Sequence, residues 1–237
     1  VAVTTHGFSD YVAHPRHGPL PMILLAVTVV TGAIDALSLL ALGRVFVANM
    51  TGNVVFIGFA LGGAAGFSLW GSVLALVGFL VGAMVGGTLI TRAGGRRDHL
   101  LRNALGVEFV LALASLIAAI LMVDGPGRGY VIVVLLALGL GLQNAAVRHL
   151  AVPDMTTTVL TMALTGIGSD LRKRDGAAVL RRLSSVVAMF LGAILGTVLV
   201  LHSGVVATLV LVAALFAAIL VVVWAVGRRE RPWQVAA

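Results

Sequence analysis

The stretch Val45-Phe46-Val47-Ala48-Asn49-Met50-Thr51-Gly52-Asn53, with the apolar run that follows it to about residue 63, decides how this chain is organised. That run, about 51–63, is too short to cross a hydrocarbon core, which needs about 20 mainly apolar helical residues. Runs long enough to cross flank it, roughly 21–43 and 67–90. Further on come roughly 103–123, 129–147, 183–201 and 205–226. A second short run, about 155–168, follows Pro153-Asp154-Met155-Thr156-Thr157-Thr158.

Composition makes the solvent clear. Of 237 residues, 60% are hydrophobic and 11% charged, and the mean hydropathy is +1.11. A water-soluble domain cannot hide that much apolar surface, whereas lipid solvates it. We expect one transmembrane domain over 21–226, a cytoplasmic arm over 1–20 without the apolar core of a signal peptide, and a cytoplasmic tail over 227–237. The chain has no Cys, which excludes disulfides, thiolate metal sites and Cys nucleophiles. The isoelectric point near 11.4 reflects basic clusters between apolar runs, so it reports membrane orientation rather than a nucleic-acid partner.

Three clusters fix that orientation: Arg92, Arg96, Arg97 and Arg102; Arg172, Lys173, Arg174, Arg181 and Arg182; and Arg228, Arg229 and Arg231. The positive-inside bias puts all three in the cytoplasm. Between the first two lie the full runs 103–123 and 129–147, and two crossings return the chain to the same face. The run 155–168 must therefore enter and leave on the cytoplasmic side, and by parity 51–63 is its outer counterpart. Arg44 and Arg128 are then the only outer bases among 16 Lys and Arg. The expected fold is an all-α membrane protein with six transmembrane helices, two re-entrant strand and half-helix segments, and both termini cytoplasmic.

The halves, about 21–123 and 129–226, repeat one another. Thr31-Gly32-Ala33-Ile34-Asp35-Ala36 aligns with Leu140-Gly141-Leu142-Gln143-Asn144-Ala145. Val47-Ala48-Asn49-Met50-Thr51 aligns with Val152-Pro153-Asp154-Met155-Thr156, and Gly82-Ala83-Met84-Val85-Gly86 with Gly192-Ala193-Ile194-Leu195-Gly196. Each half crosses three times, so the repeats are inverted, an arrangement that in many secondary transporters holds the site near the midplane. Irregular backbone at that depth must be buried in protein or line a wet cavity. A short helix starting there aims unpaired N–H groups and partial positive charge at it.

The runs Gly32-Ala33-Ile34-Asp35-Ala36, Val45 to Asn53, Gly141-Leu142-Gln143-Asn144-Ala145 and Asp154-Met155-Thr156-Thr157-Thr158-Val159-Leu160-Thr161 resemble the YoaK family of bacterial membrane proteins, over about residues 20–226. That family has no known function. The resemblance implies a multi-pass protein of the bacterial cytoplasmic (inner) membrane and little about mechanism. A weaker similarity, of architecture only, is to the nucleobase and sulfate transporter families, which are much longer.

The candidate substrate-binding residues follow from the repeat. Asp35 lies mid-span, where a carboxyl is costly and marks function by default. Gln143 and Asn144 occupy the equivalent place. Asn49, Thr51 and Asn53, and Asp154, Thr156, Thr157 and Thr158, lie at the starts of the short helices, where they suit both capping and solute contact. Glu108 is expected to reach back to the interface or pair with Arg102 or Arg97. The ridges Gly78, Gly82, Gly86 and Gly192, Gly196 read as packing surfaces. His6, His14 and His17 read as solvated, and no metal or cofactor is expected.

The leading functional expectation is a small-solute transporter or channel for an anion or small polar metabolite, with Asp35 as candidate carrier of a coupling proton. The alternative is a non-transporting scaffold or sensor binding partners or anionic lipids. No catalytic spacing is present, so an enzyme is not expected. The expected partners are the bilayer and a small-molecule or ion substrate, and the glycine ridges offer a surface for a homodimer.

Overall fold

A computed structural model describes residues 17–153, 155, 157–158, 160–173, 176–228 and 232–234. Its helices are α1 (Leu20–Ala41), α2 (Met50–Leu61), α3 (Leu69–Ala93), α4 (Arg97–Leu121), α5 (Pro126–Leu150), α6 (Leu160–Lys173) and α7 (Gly176–Gly227), followed by a 3-10 turn at Pro232–Gln234. Among them α1, α3, α4, α5 and α7 are long and apolar enough to cross a membrane, and α2 is a shorter apolar helix.

Local chemistry sets the boundaries. Proline stands in the first turn of α1 and of α5, where its missing N–H costs nothing. Ser68 opens α3 by accepting a hydrogen bond from the Gly71 N–H at 3.0 Å. Gly94 closes α3 in the left-handed conformation. The 52 residues of α7 are interrupted at Gly204 (φ 79°, ψ −174°), backbone that glycine adopts without the penalty of a Cβ.

Two helix pairs form the frame, and both are packed through glycine. Gly78, Gly82 and Gly86 of α3 abut the backbones of Val134, Leu138 and Leu142 of α5. Gly192 and Gly196 of α7 abut those of Val29 and Ala33 of α1. The contacts advance together along each pair, so α3 runs parallel to α5, and the first part of α7 runs parallel to α1. The pairs also match in register: Gly32 meets the Met189 carbonyl, and Gly141, 109 positions later, meets that of Phe79. Close backbone approach of this kind is how small residues hold helices together where lipid removes the hydrophobic drive.

Several helix ends converge. The Arg97 guanidinium, at the start of α4, donates to the Leu150 carbonyl at the end of α5 and contacts His17 Nδ1 (3.3 Å) just before α1. The Trp233 ring lies on Gly18, and Gln234 Nε2 donates to the Gly227 carbonyl at 3.1 Å. The starts of α1 and α4 and the ends of α5 and α7 therefore share one end of the molecule.

Some expectations need correction. No strand forms among the described residues. Before α2, the Asn53 side chain takes a strand partner's role, accepting from the Phe46 N–H (2.9 Å) and donating to the Phe46 carbonyl (2.6 Å). The second short helix starts at Leu160 and extends to Lys173, beyond the apolar run 155–168. Its polar end docks on α7 through Arg182 and Asp170, Nε to Oδ2 at 2.8 Å.

Candidate functional site

Polar side chains gather where α1 and α5 meet the segments that precede the short helices. Thr31 lies about 16 Å from the start of α1, near its middle. It is fully buried, and its hydroxyl donates to the Val27 carbonyl at 3.1 Å. Gln143 on α5 is also buried. Its Nε2 donates to Thr31 Oγ1 at 3.1 Å and to Thr157 Oγ1 at 3.0 Å. Next to it, Asn144 Oδ1 accepts from the Thr158 hydroxyl at 2.9 Å. One amide pair thus ties α5 both to α1 and to the turn before α6.

Asp35, one turn beyond Thr31, has its carboxylate facing the backbone N–H groups of Val47 and Ala48. The residue is partly buried, and its Oδ1 has no hydrogen-bond partner. Gln143 Oε1 is likewise buried without a partner. An unpaired buried acceptor forfeits its water bonds with nothing in return, at about 1–3 kcal/mol. Asp35 lies one helical turn from Thr31, the partner of Gln143, and each of the two unpaired oxygens can accept a hydrogen bond.

The candidate residues divide accordingly. Gln143, Asn144, Thr157 and Thr158 form hydrogen bonds around α1 and α5 as just described, and Asp35 faces the backbone of Val47 and Ala48. Asn53 is fully buried but is committed to the Phe46 backbone. Asn49 and Thr51 are exposed, and Asn49 makes no side-chain capping bond at the start of α2. The Asn53 side chain reaches back to Phe46, and the Thr158 hydroxyl turns to Asn144. Asp154 and Thr156 lie outside the described residues.

Two features escaped the sequence reading. Thr31 was visible only as a repeat position, and its bond to Gln143 joins residues 112 positions apart. Glu108 neither reaches the interface nor pairs with Arg97 or Arg102. It is 2% exposed, Oε2 has no partner, and it lines a small cavity with Ile34, Leu136, Gly139, Leu140 and Phe216. Its helical position turns it toward the core formed with α5, away from the basic end. Among the described residues, no group of three or more His, Cys, Asp or Glu is placed to hold a metal.

Comparison with known proteins gives a family without an assigned activity. Residues 23–223 match the family described as "Protein of unknown function (DUF1275)". The chain is 29% identical over 157 residues to the "UPF0700 transmembrane protein YoaK" of Bacillus subtilis (strain 168), covering 64% of this chain and 67% of that protein. No solved structure matches.

Proposed function

We propose that this chain, which belongs to the DUF1275 family of proteins of unknown function, is a small-solute membrane transporter or channel with its site at mid-membrane, between two re-entrant segments of opposite orientation. The observation that carries the reading is the polar cluster of Thr31, Asp35, Gln143, Asn144, Thr157 and Thr158, with its two unpaired acceptors. Buried polar groups in a membrane face a bundle interior or a water-filled path and mark solute routes. Asp35 Oδ1 and Gln143 Oε1 favour a solute that donates hydrogen bonds, a small polar metabolite, over an anion.

The convergent helix ends support six crossings. α1 and α4 leave from the end where α5 and the last part of α7 arrive. α3 runs parallel to α5 and so arrives there too. The first part of α7 runs parallel to α1 and so leaves. A helix that both leaves and arrives at one end turns back between, and the break at Gly204 is where α7 does so. As a single rod its 52 residues would span about 78 Å, far beyond a hydrocarbon core of about 30 Å.

On this reading α1, α3 and α4 run opposite to α5, the first part of α7 and the last part of α7, respectively. α2 joins two helices at the far face and α6 joins two at the near face, so neither crosses. The near face carries Arg92, Arg96, Arg97, Arg148, Arg172, Arg181, Arg182 and Arg228, which makes it cytoplasmic. Membership of a family with a transmembrane relative supports a multi-pass membrane location, which we place in the inner membrane. Enzymatic chemistry is not part of the proposal.

The test is uptake by proteoliposomes, screened across small polar metabolites and anions. Flux of at least one class is expected, reduced by Gln143→Leu, and with proton coupling abolished by Asp35→Asn. Folded protein that moves no member of either class counts against transport, and unchanged coupling in Asp35→Asn removes that residue's role.

A further inference from the structure

A second site lies outside the polar cluster. α3, α4 and the last part of α7 leave an open groove of about 880 Å³ between them. Its walls are Leu89, Gly106, Val107, Val110, Leu220 and Trp224, with Arg102 and Asn103 at one end. From Asn103 to Leu111, the groove's extent along α4, the helix rises about 12 Å. A single leaflet of hydrocarbon is about 15 Å deep, half of the core. The groove is thus apolar over most of one leaflet.

Its polar end is cationic. Arg102 is exposed and makes no hydrogen bond or ion pair among the described residues. The Arg228 guanidinium stands 4.0 Å over the Trp224 ring. Arg92, exposed, lies three residues beyond Leu89 on α3. Arg102 lines the mouth, Arg228 stands over the lining residue Trp224, and Arg92 follows the lining residue Leu89 by three positions on α3, whereas none of the named groove residues carries negative charge. A second copy seated here would bring the same arginines against these. An anionic headgroup with its acyl chain down the groove satisfies both the charge and the apolar depth, as basic pockets between membrane helices do.

We propose that this groove is a binding site for an anionic phospholipid of the cytoplasmic leaflet, its phosphate held at Arg102 and Arg92 and one acyl chain lying along Gly106 and Val110 beside Trp224. The leaflet assignment rests on the orientation proposed above, whereas the lipid class rests on the groove alone. Gly106 faces open space: a Cβ there would meet nothing within 4 Å. A larger residue at this position would take up part of the groove.

The test uses the full chain carrying Trp70→Phe and Trp233→Phe, so that Trp224 alone reports. It is reconstituted in phosphatidylcholine vesicles with rising fractions of brominated phosphatidylglycerol, or of brominated phosphatidylcholine as comparison. Quenching by the anionic lipid is expected at the lower fraction. Arg102→Gln and Arg92→Gln should each weaken it about fivefold, the equivalent of about 1 kcal/mol per arginine. Gly106→Leu should reduce quenching by both lipids while the protein still elutes as folded material. Identical curves for the two lipids, or curves unmoved by Arg102→Gln, overturn the proposal. So does efficient cross-linking between copies of Gly106→Cys in this otherwise Cys-free chain, because the occupant is then a second copy. Failure here leaves the transport reading untouched, since uptake does not enter the assay.

Discussion

Alanine at Gly82 and at Gly192 probes whether the two helix pairs are equivalent. At Gly82 an added Cβ would be driven into the backbone of Leu138, and at Gly192 into that of Val29. In both cases the obstacle is backbone carbonyl rather than a flexible side-chain tip, so only separation of the helices relieves it. Overpacking of this kind costs about 1–3 kcal/mol, and a backbone obstacle argues for the upper end. Against that, alanine gains about 1 kcal/mol over glycine inside a helix. The net expectation is a loss of about 2 kcal/mol at each site, the difference of those two terms. For a chain of this size that lowers Tm by about 4–8 °C. Gly87 is the control: it lies on the same helix, is exposed, and meets nothing within 4 Å. Gly87→Ala should therefore leave Tm unchanged or raise it. The assay is the temperature at which the detergent-solubilised protein loses its monodisperse elution peak. The reasoning fails if Gly82→Ala and Gly192→Ala behave like Gly87→Ala, or if only one of them destabilises.

Other substitutions separate structural from solute-facing polar groups. Asn53→Leu should lower stability by about 1–3 kcal/mol, because it strips the Phe46 N–H and carbonyl of their partner, and the same thermal assay reads it. Glu108→Leu should leave Tm unchanged or raise it, since the carboxyl is buried without a hydrogen-bond partner for Oε2 and an apolar side chain suits its lining. A large loss of stability there would mean that Glu108 has a partner after all. Thr157→Val should loosen the turn before α6 by removing an acceptor of Gln143 Nε2, seen as faster proteolysis between α5 and α6.

Much of the fold was legible because membrane physics writes it in gross features. Run lengths distinguished the short helix at 50–61 from its neighbours, and the glycine ridges at 82, 86, 192 and 196 marked the packing faces. Gly32 and Gly141, aligned in the sequence, each meet a backbone carbonyl, of Met189 and Phe79. What stayed hidden depended on side-chain direction. Asn49 makes no side-chain capping bond, while the Asn53 amide serves the N–H and carbonyl of Phe46 together, which no spacing rule encodes. Glu108 sits close enough in sequence to Arg102 for pairing, but its helical angle turns it into the core. The break in α7 at Gly204 was readable as the gap between two apolar runs, although the helix is otherwise continuous. Thr31 gave no signal of its own, because its partner Gln143 is in the other half of the chain.

On the proposed topology α2 enters and leaves the membrane on the outer face, and α6 enters and leaves it on the cytoplasmic face. The chain has no Cys, so single-Cys variants in sealed right-side-out vesicles, labelled with an impermeant maleimide, test it directly. Ala41→Cys and Ala64→Cys, which flank α2, should both react from outside. His149→Cys and Gly176→Cys, which flank α6, should react only after the vesicles are opened. Members of either pair reacting from opposite faces would contradict it, because that short helix would then cross the bilayer.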